Sequence, residues 1–240
     1  MMRRQAGFTL TELLIGLALG SVMMAAVLGF YVNQQRYVVI REKVAAMQQS
    51  GRIGMAMLAR DIRMAGYDPI KTAIPGLVTD LPAYGMPGLP IDYAVNTDII
   101  AFTIDINEDG VIASVDANGD NLIDAEEQEE FAYRLNNDSL ERFQPPEGVN
   151  PAAWHPAADH IEALNFVLLD AAGNVTTDPI AVRSVQITLL ARTENSDAKY
   201  VDTNVPYQNR QGIDICPSCT GSHYRHLLMS TVVTPRNLGL

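Results

Sequence analysis

One feature limits this chain more than any other: an uncharged run of twenty residues near its start, Leu13 to Val32, reading LLIGLALGSVMMAAVLGFYV. At about 1.5 Å per residue, a helix of this run reaches about 30 Å, the thickness of a bilayer's hydrocarbon core. Arg3 and Arg4 precede it and favour leaving the extreme N-terminus in the cytoplasm while the chain beyond the run is exported. Three arrangements fit such a run. A cleaved secretory signal expects a short apolar region closed by a small-residue cleavage site, whereas here the helical pattern continues straight past Val32. A plain signal anchor fits the length and the flanking charge. The third arrangement is set by a single acidic residue.

Glu12 stands at the edge of the run, where an unpaired carboxylate is costly. The stretch Gly7-Phe8-Thr9-Leu10-Thr11-Glu12-Leu13-Leu14 closely resembles the class III signal of type IV prepilins. The resemblance implies that a prepilin peptidase cuts after Gly7 and N-methylates the new terminus, Phe8. It further implies that Glu12 pairs with the terminal ammonium of a neighbouring subunit in a filament. The physics agrees, because a carboxylate and an amine buried together in a bundle of apolar helices each relieve the other's desolvation.

No proline falls between Phe8 and Gly66. Past the apolar run, Ile40, Val44, Met47, Gly51, Met55, Leu58, Ile62 and Ala65 recur three or four apart and form one helical stripe. Arg41, Glu42, Gln48, Arg52, Arg60 and Asp61 are expected mostly off that stripe. Gly66 and Pro69 supply a stop, so a continuous helix from Phe8 to Ala65 would reach about 87 Å. This divides the chain into a leader (1–7), the membrane half of a helix (8–32), its amphipathic half (33–66) and an exported β-rich domain (67–240). Leu58 to Tyr67, LARDIRMAGY, is similar to the helix end of the PilW family of minor pilins.

Residues 67–95 carry five prolines and read as wrapping loop. Strands are expected at 98–104, at 130–135 and 138–143 as a hairpin turning on Asn136-Asn137, at 161–169, at 180–192 and at 226–233. His155 and His160 are expected in a loop beside Trp154. A long helix followed by strands predicts an α+β fold, the helix laid on an antiparallel sheet as in pilins.

Asp116, Asn118, Asp120, Leu122, Asp124 and Glu127 fall at positions 1, 3, 5, 7, 9 and 12 of an EF-hand-like loop. Leu122 would offer its carbonyl and the others side-chain oxygens, a set suited to calcium. Asn121 stands where glycine is usual and tolerates the left-handed backbone needed there. Upstream, Asp105-Ile-Asn107-Glu-Asp109-Gly110 begins a second such loop but offers Ala113 at position 9, so it reads as a half-site or a turn. There is no Lys or Arg between Lys71 and Arg134, and ten acids lie within 105–130. A divalent cation would relieve their repulsion; a solvated Asx-rich turn, which needs no metal, fits the same residues.

Cys216-Pro-Ser-Cys219 holds the chain's two cysteines. In an exported domain a small disulfide loop is expected. A redox-active pair, a zinc site completed by His223 and His226, and free thiols are the other readings. The formal charge of −11 gives no general attraction for nucleic acid. The sequence holds no Gly-x-Ser-x-Gly elbow, phosphate loop or His-Glu-x-x-His, so nothing points to an enzyme. The expected role is a minor pilin of the inner membrane: single-pass, with a periplasmic domain, joining other minor and major pilins to prime or cap a filament. A type II secretion pseudopilin or a tip adhesin would share the signal and the architecture.

Overall fold

Nothing after Phe8 interrupts a helix, and in the structure, a computed structural model, α1 runs from Leu10 to Met64. The structure describes residues 9–69, 76–78, 97–108, 110, 128–144 and 153–238. Gly66 ends the helix with φ 77°, the left-handed conformation that glycine adopts without a side-chain clash. Its N–H donates to the Thr103 carbonyl at 3.0 Å. The chain divides into two compact units, Met1–Ala45 and Ala46–Leu240. The division falls inside α1.

In the first unit every described residue up to Val39 is exposed. Leu13, Ile15, Leu19, Val22, Met23 and Phe30 are each more than half accessible. In the second unit the helix buries Met47, Gly51, Gly54, Leu58, Asp61 and Ile62. The expected stripe is therefore present, widened by Gly54 and Asp61.

Among the described residues the strands form two antiparallel sheets. The first contains β1 (Ile99–Thr103), β2 (Glu130–Asn136), β3 (Ser139–Gln144) and β4 (Ala153–Asp159), neighbours in that order. The β2–β3 hairpin turns on Asn137 and Asp138, both at positive φ (47° and 61°). That is the residue pattern of a type I′ turn, one position later than the sequence suggested. Phe102 and Phe131 stand opposite each other on β1 and β2 and stack with centroids 5.7 Å apart. β4 corrects the reading of 153–159 as loop. Its Pro156 lies opposite Glu141 beside a register shift, and β4 is an edge strand, where a missing N–H does least harm.

The second sheet contains β5 (Ile161–Leu169), β6 (Ser184–Arg192) and β7 (His226–Val233), with β6 central. The expected strand at 180–192 starts late because Pro179–Ala181 forms a 3-10 turn, capped by the Asp178 carboxylate accepting from the Ile180 N–H at 3.0 Å. β6 is buried from Val185 to Ala191, polar residues included. One side meets the helix: a side chain at Gly54 would press on Leu140 and Ala158 of the first sheet and Leu189 of β6, and one at Gly51 on Ala191 and Met229. The other side is covered by the segment 205–219. There Leu190 and Ala163 pack with Tyr207, Cys216 and Cys219, and Gln186 exchanges amide hydrogen bonds with Gln211 at 3.0 and 3.2 Å. The sheets are consecutive in the chain: His160 alone separates β4 from β5, at φ 62°.

Candidate functional sites

The head of α1 is capped by its own side chains. Thr9 Oγ1 accepts from the Glu12 N–H at 3.3 Å, and Glu12 Oε2 accepts from the Thr9 N–H at 3.0 Å and the Thr9 hydroxyl at 2.9 Å. This is the reciprocal capping box that Thr-x-x-Glu permits. Glu12 therefore has a partner within its own chain, which the sequence reading missed although the spacing was there to see. The box uses the amide of Thr9. α1 is apolar enough to cross a membrane by length and composition, and none of its most apolar stretch is buried.

Asp61, expected off the helix stripe, is buried in the second unit. It accepts from the Tyr133 hydroxyl at 2.5 Å and from Arg60 Nε at 2.7 Å, and Arg142 Nε lies 3.7 Å away. Burial first, and the hydrogen bond to Asp61 next, hold the Tyr133 hydroxyl well above its ordinary pKa, so it stays a donor. A buried carboxylate with a neutral donor and two guanidinium groups is compensated. It ties the helix to β2 with a hydrogen bond and to β3 with an ion pair.

A second polar cluster sits where the cysteines fall. Cys216 and Cys219 are joined by a disulfide. Beside it His226, the first residue of β7, is buried between two carboxylates. Nδ1 lies 2.5 Å from Asp202 Oδ2 and Nε2 lies 2.7 Å from Glu162 Oε2. Burial lowers the His226 pKa, but the hydrogen bonds and charges of Glu162 and Asp202 outweigh it, and the net direction is up. Asp202 also accepts from the Tyr207 hydroxyl at 2.6 Å and the Asn204 N–H at 3.0 Å. Arg192 Nε stands 3.8 Å from Glu162. His223 is not part of the cluster; its Nδ1 faces the Tyr200 carbonyl at 2.5 Å. His155 lies on β4, and His160 is the joint between the sheets.

The processing residues Gly7 and Phe8 lie outside the described residues. So do the candidate calcium ligands Asp116, Asn118, Asp120, Leu122, Asp124 and Glu127. The segment's described flanks hold buried acids: Asp105 on one side, Glu129 and Glu130 on the other. Asp105 Oδ2 accepts from the Gly110 N–H at 3.3 Å.

The sequence of the chain matches two family models. The family model described as prepilin peptidase-dependent protein B matches residues 41–209, and the prokaryotic N-terminal methylation motif matches residues 2–28. Among solved structures, a type IV-like pilin from Thermus thermophilus is similar at 13% identity and a TM-score of 0.49, over 80% of this chain and 98% of that one. No curated protein matches the sequence. The two sequence models define the class, a type IV pilin-like protein carrying a prepilin signal. Within that class the chain belongs to the family of prepilin peptidase-dependent protein B.

Proposed function

We propose that this pilin-like protein is a minor pilin, similar to the PilW family, that helps to prime or cap a type IV pilus. It is held in the inner membrane by a single pass of α1, with the second unit on the periplasmic side until it enters a filament. Its work is structural and not enzymatic: it packs with other minor and major pilins and does no chemistry on a substrate. The observation that carries this reading is the first half of α1, uncharged from Leu13 to Val32 and exposed along its described length, with Glu12 at its head. Such a surface needs lipid or other apolar helices around it. A carboxylate there is best matched by a positive chain terminus.

The decisive measurement is the intact mass of the mature protein. Expected is the loss of residues 1–7 and a methylated Phe8. A chain that keeps those seven residues in a host with an active prepilin peptidase would refute the reading.

The loop from Asp116 to Glu127 we propose as a calcium site, on the strength of its oxygen spacing and the cation-free stretch around it. Calcium should raise the melting temperature of the wild-type protein and leave Asp124→Ala unchanged. A wild type as indifferent as the variant would remove calcium from the account.

A further inference from the structure

Among the described residues one group of side chains has the donor atoms and the closeness of a metal centre: Glu162, Cys219 and His226, whose ligating atoms lie within 4.8 Å of one another. They come from three places in the chain, β5, the 3-10 turn Pro217–Cys219, and β7. We propose that this cluster is a zinc site that opens when the Cys216–Cys219 disulfide is reduced, with Cys216 as the fourth donor.

The geometry is close to what zinc requires. His226 Nε2 faces Cys219 Sγ at 3.8 Å and Glu162 Oε2 at 2.7 Å. Around a tetrahedral zinc, a nitrogen and a sulfur ligand stand about 3.6 Å apart and a nitrogen and an oxygen about 3.3 Å. The sulfur is nearly in place, and the carboxylate must retreat by about half an ångström to admit the ion. The Cys-x-x-Cys spacing on a tight turn is the common first half of a structural zinc site.

The surroundings add a second, independent reason. Histidines that bind metals almost always give their other ring nitrogen to a carboxylate, a backbone carbonyl or water. Here Asp202 takes that position at Nδ1, at 2.5 Å. It is in turn fixed by Tyr207 and Asn204. The side chains of His226 and Asp202 are fully buried, so the imidazole is held with Nε2 aimed at the sulfur and at Glu162. This is the arrangement that metal-binding histidines commonly have.

The two states exclude each other. A dithiol reductant supplies two electrons and two protons, the S–S bond breaks, two thiols form, and the reductant leaves as its own disulfide. Zinc then displaces the thiol protons of Cys216 and Cys219 and the Nε2 proton of His226. The displaced protons go to solvent, and Glu162 binds through its carboxylate oxygen. A disulfide oxidant reverses this: it takes two electrons from the two thiolates and two protons from solvent, leaves as its own dithiol, and the re-formed S–S bond removes both sulfur donors and expels the ion.

The test uses the full chain in detergent, reduced with a phosphine, because a dithiol would itself bind the probe. Cobalt(II) is the probe. One equivalent should produce thiolate-to-cobalt charge-transfer and tetrahedral d–d bands that zinc abolishes, and the oxidised protein should show neither. Asp202→Asn, a positioning change, should weaken binding on the order of tenfold, and His226→Gln should weaken it more. Cys216→Ser cannot form the disulfide and should bind cobalt without reductant through the remaining three donors, which covers the case in which His226→Gln fails to fold. The proposal is overturned if the reduced wild type shows no thiolate–cobalt bands. It is equally overturned if Asp202→Asn and Cys216→Ser bind as an unstructured Cys-x-x-Cys peptide and a lone thiol would.

Discussion

The two halves of α1 use apolar residues to opposite ends. From Leu10 to Val39 every side chain is exposed, although this is the most apolar part of the chain. From Met47 to Ile62 the sequence is more polar, yet Met47, Gly51, Gly54, Leu58, Asp61 and Ile62 are buried. Hydrophobicity alone therefore does not say which half belongs to the core. Periodicity does: the first half is greasy on all sides, and its described residues to Val39 are all exposed, whereas the second presents one stripe to a sheet domain. The first half is a surface waiting for an environment, and the second is already satisfied.

That contrast can be broken most severely at Glu12. Glu12→Val should leave the second unit folded and the protein in the membrane but abolish its entry into filaments, scored by recovery of the protein in sheared fibres. Glu12→Gln separates two roles, because glutamine can keep the capping box while losing the charge. Assembly failing in Gln as it does in Val assigns the effect to charge. Assembly restored by Gln would reduce Glu12 to a helix cap.

A matched pair of leucines sharpens the comparison. Leu58 is fully buried and Leu19 is mostly exposed. Leu58→Ala should cost about 2–5 kcal/mol of the domain's stability in denaturant unfolding. Leu19→Ala should change it by less than about 0.5 kcal/mol. Equal costs would mean that the two halves do not differ as described.

The smallest effect is a pH dependence confined to the second unit. Burial first, and the charge of Glu129 second, push the Glu130 carboxyl up to about 7. A carboxyl that holds its proton more tightly in the folded state contributes stability below its unfolded pKa, and that stability is lost as pH rises through the folded value. The stability of the wild type against thermal unfolding should therefore fall between about pH 4.5 and pH 7, and Glu130→Gln should remove that slope, gaining on the order of 1–3 kcal/mol at the alkaline end. A slope unchanged in the variant would place its origin elsewhere.

Much of this architecture was written locally, and the exceptions are instructive. The helix and its end were legible because proline is absent up to Gly66 and a stripe repeats every three or four residues. β5, β6 and β7 were legible from runs of branched and apolar residues. β4 was hidden because Trp154-His155-Pro156-Ala157-Ala158 neither alternates nor favours strand. It exists because β3 offers it a free edge. Asp61 was misplaced because charge argues for the surface; Arg60 is its sequence neighbour, but only the fold supplies Tyr133 and Arg142 around it. Of the His226 cluster, the sequence offered the paired cysteines and His226 itself, but not its carboxylates. Its carboxylates lie 24 and 64 residues away along the chain, and His223, the nearer candidate, faces a carbonyl instead.

His160 carries a consequence of its own. It is the only link between the last strand of one sheet and the first strand of the other, and its carbonyl is engaged by the Arg192 N–H at 2.9 Å. A joint of one residue has no slack. Were β4 to pair one position out of step on β3, β5 would enter rotated by half a turn, and Phe166 and Leu168 would exchange sides with Asn165 and Val167. The edge strand that looks least important thus dictates which way the neighbouring layer faces, and errors in one layer cannot be quietly absorbed before they reach the next.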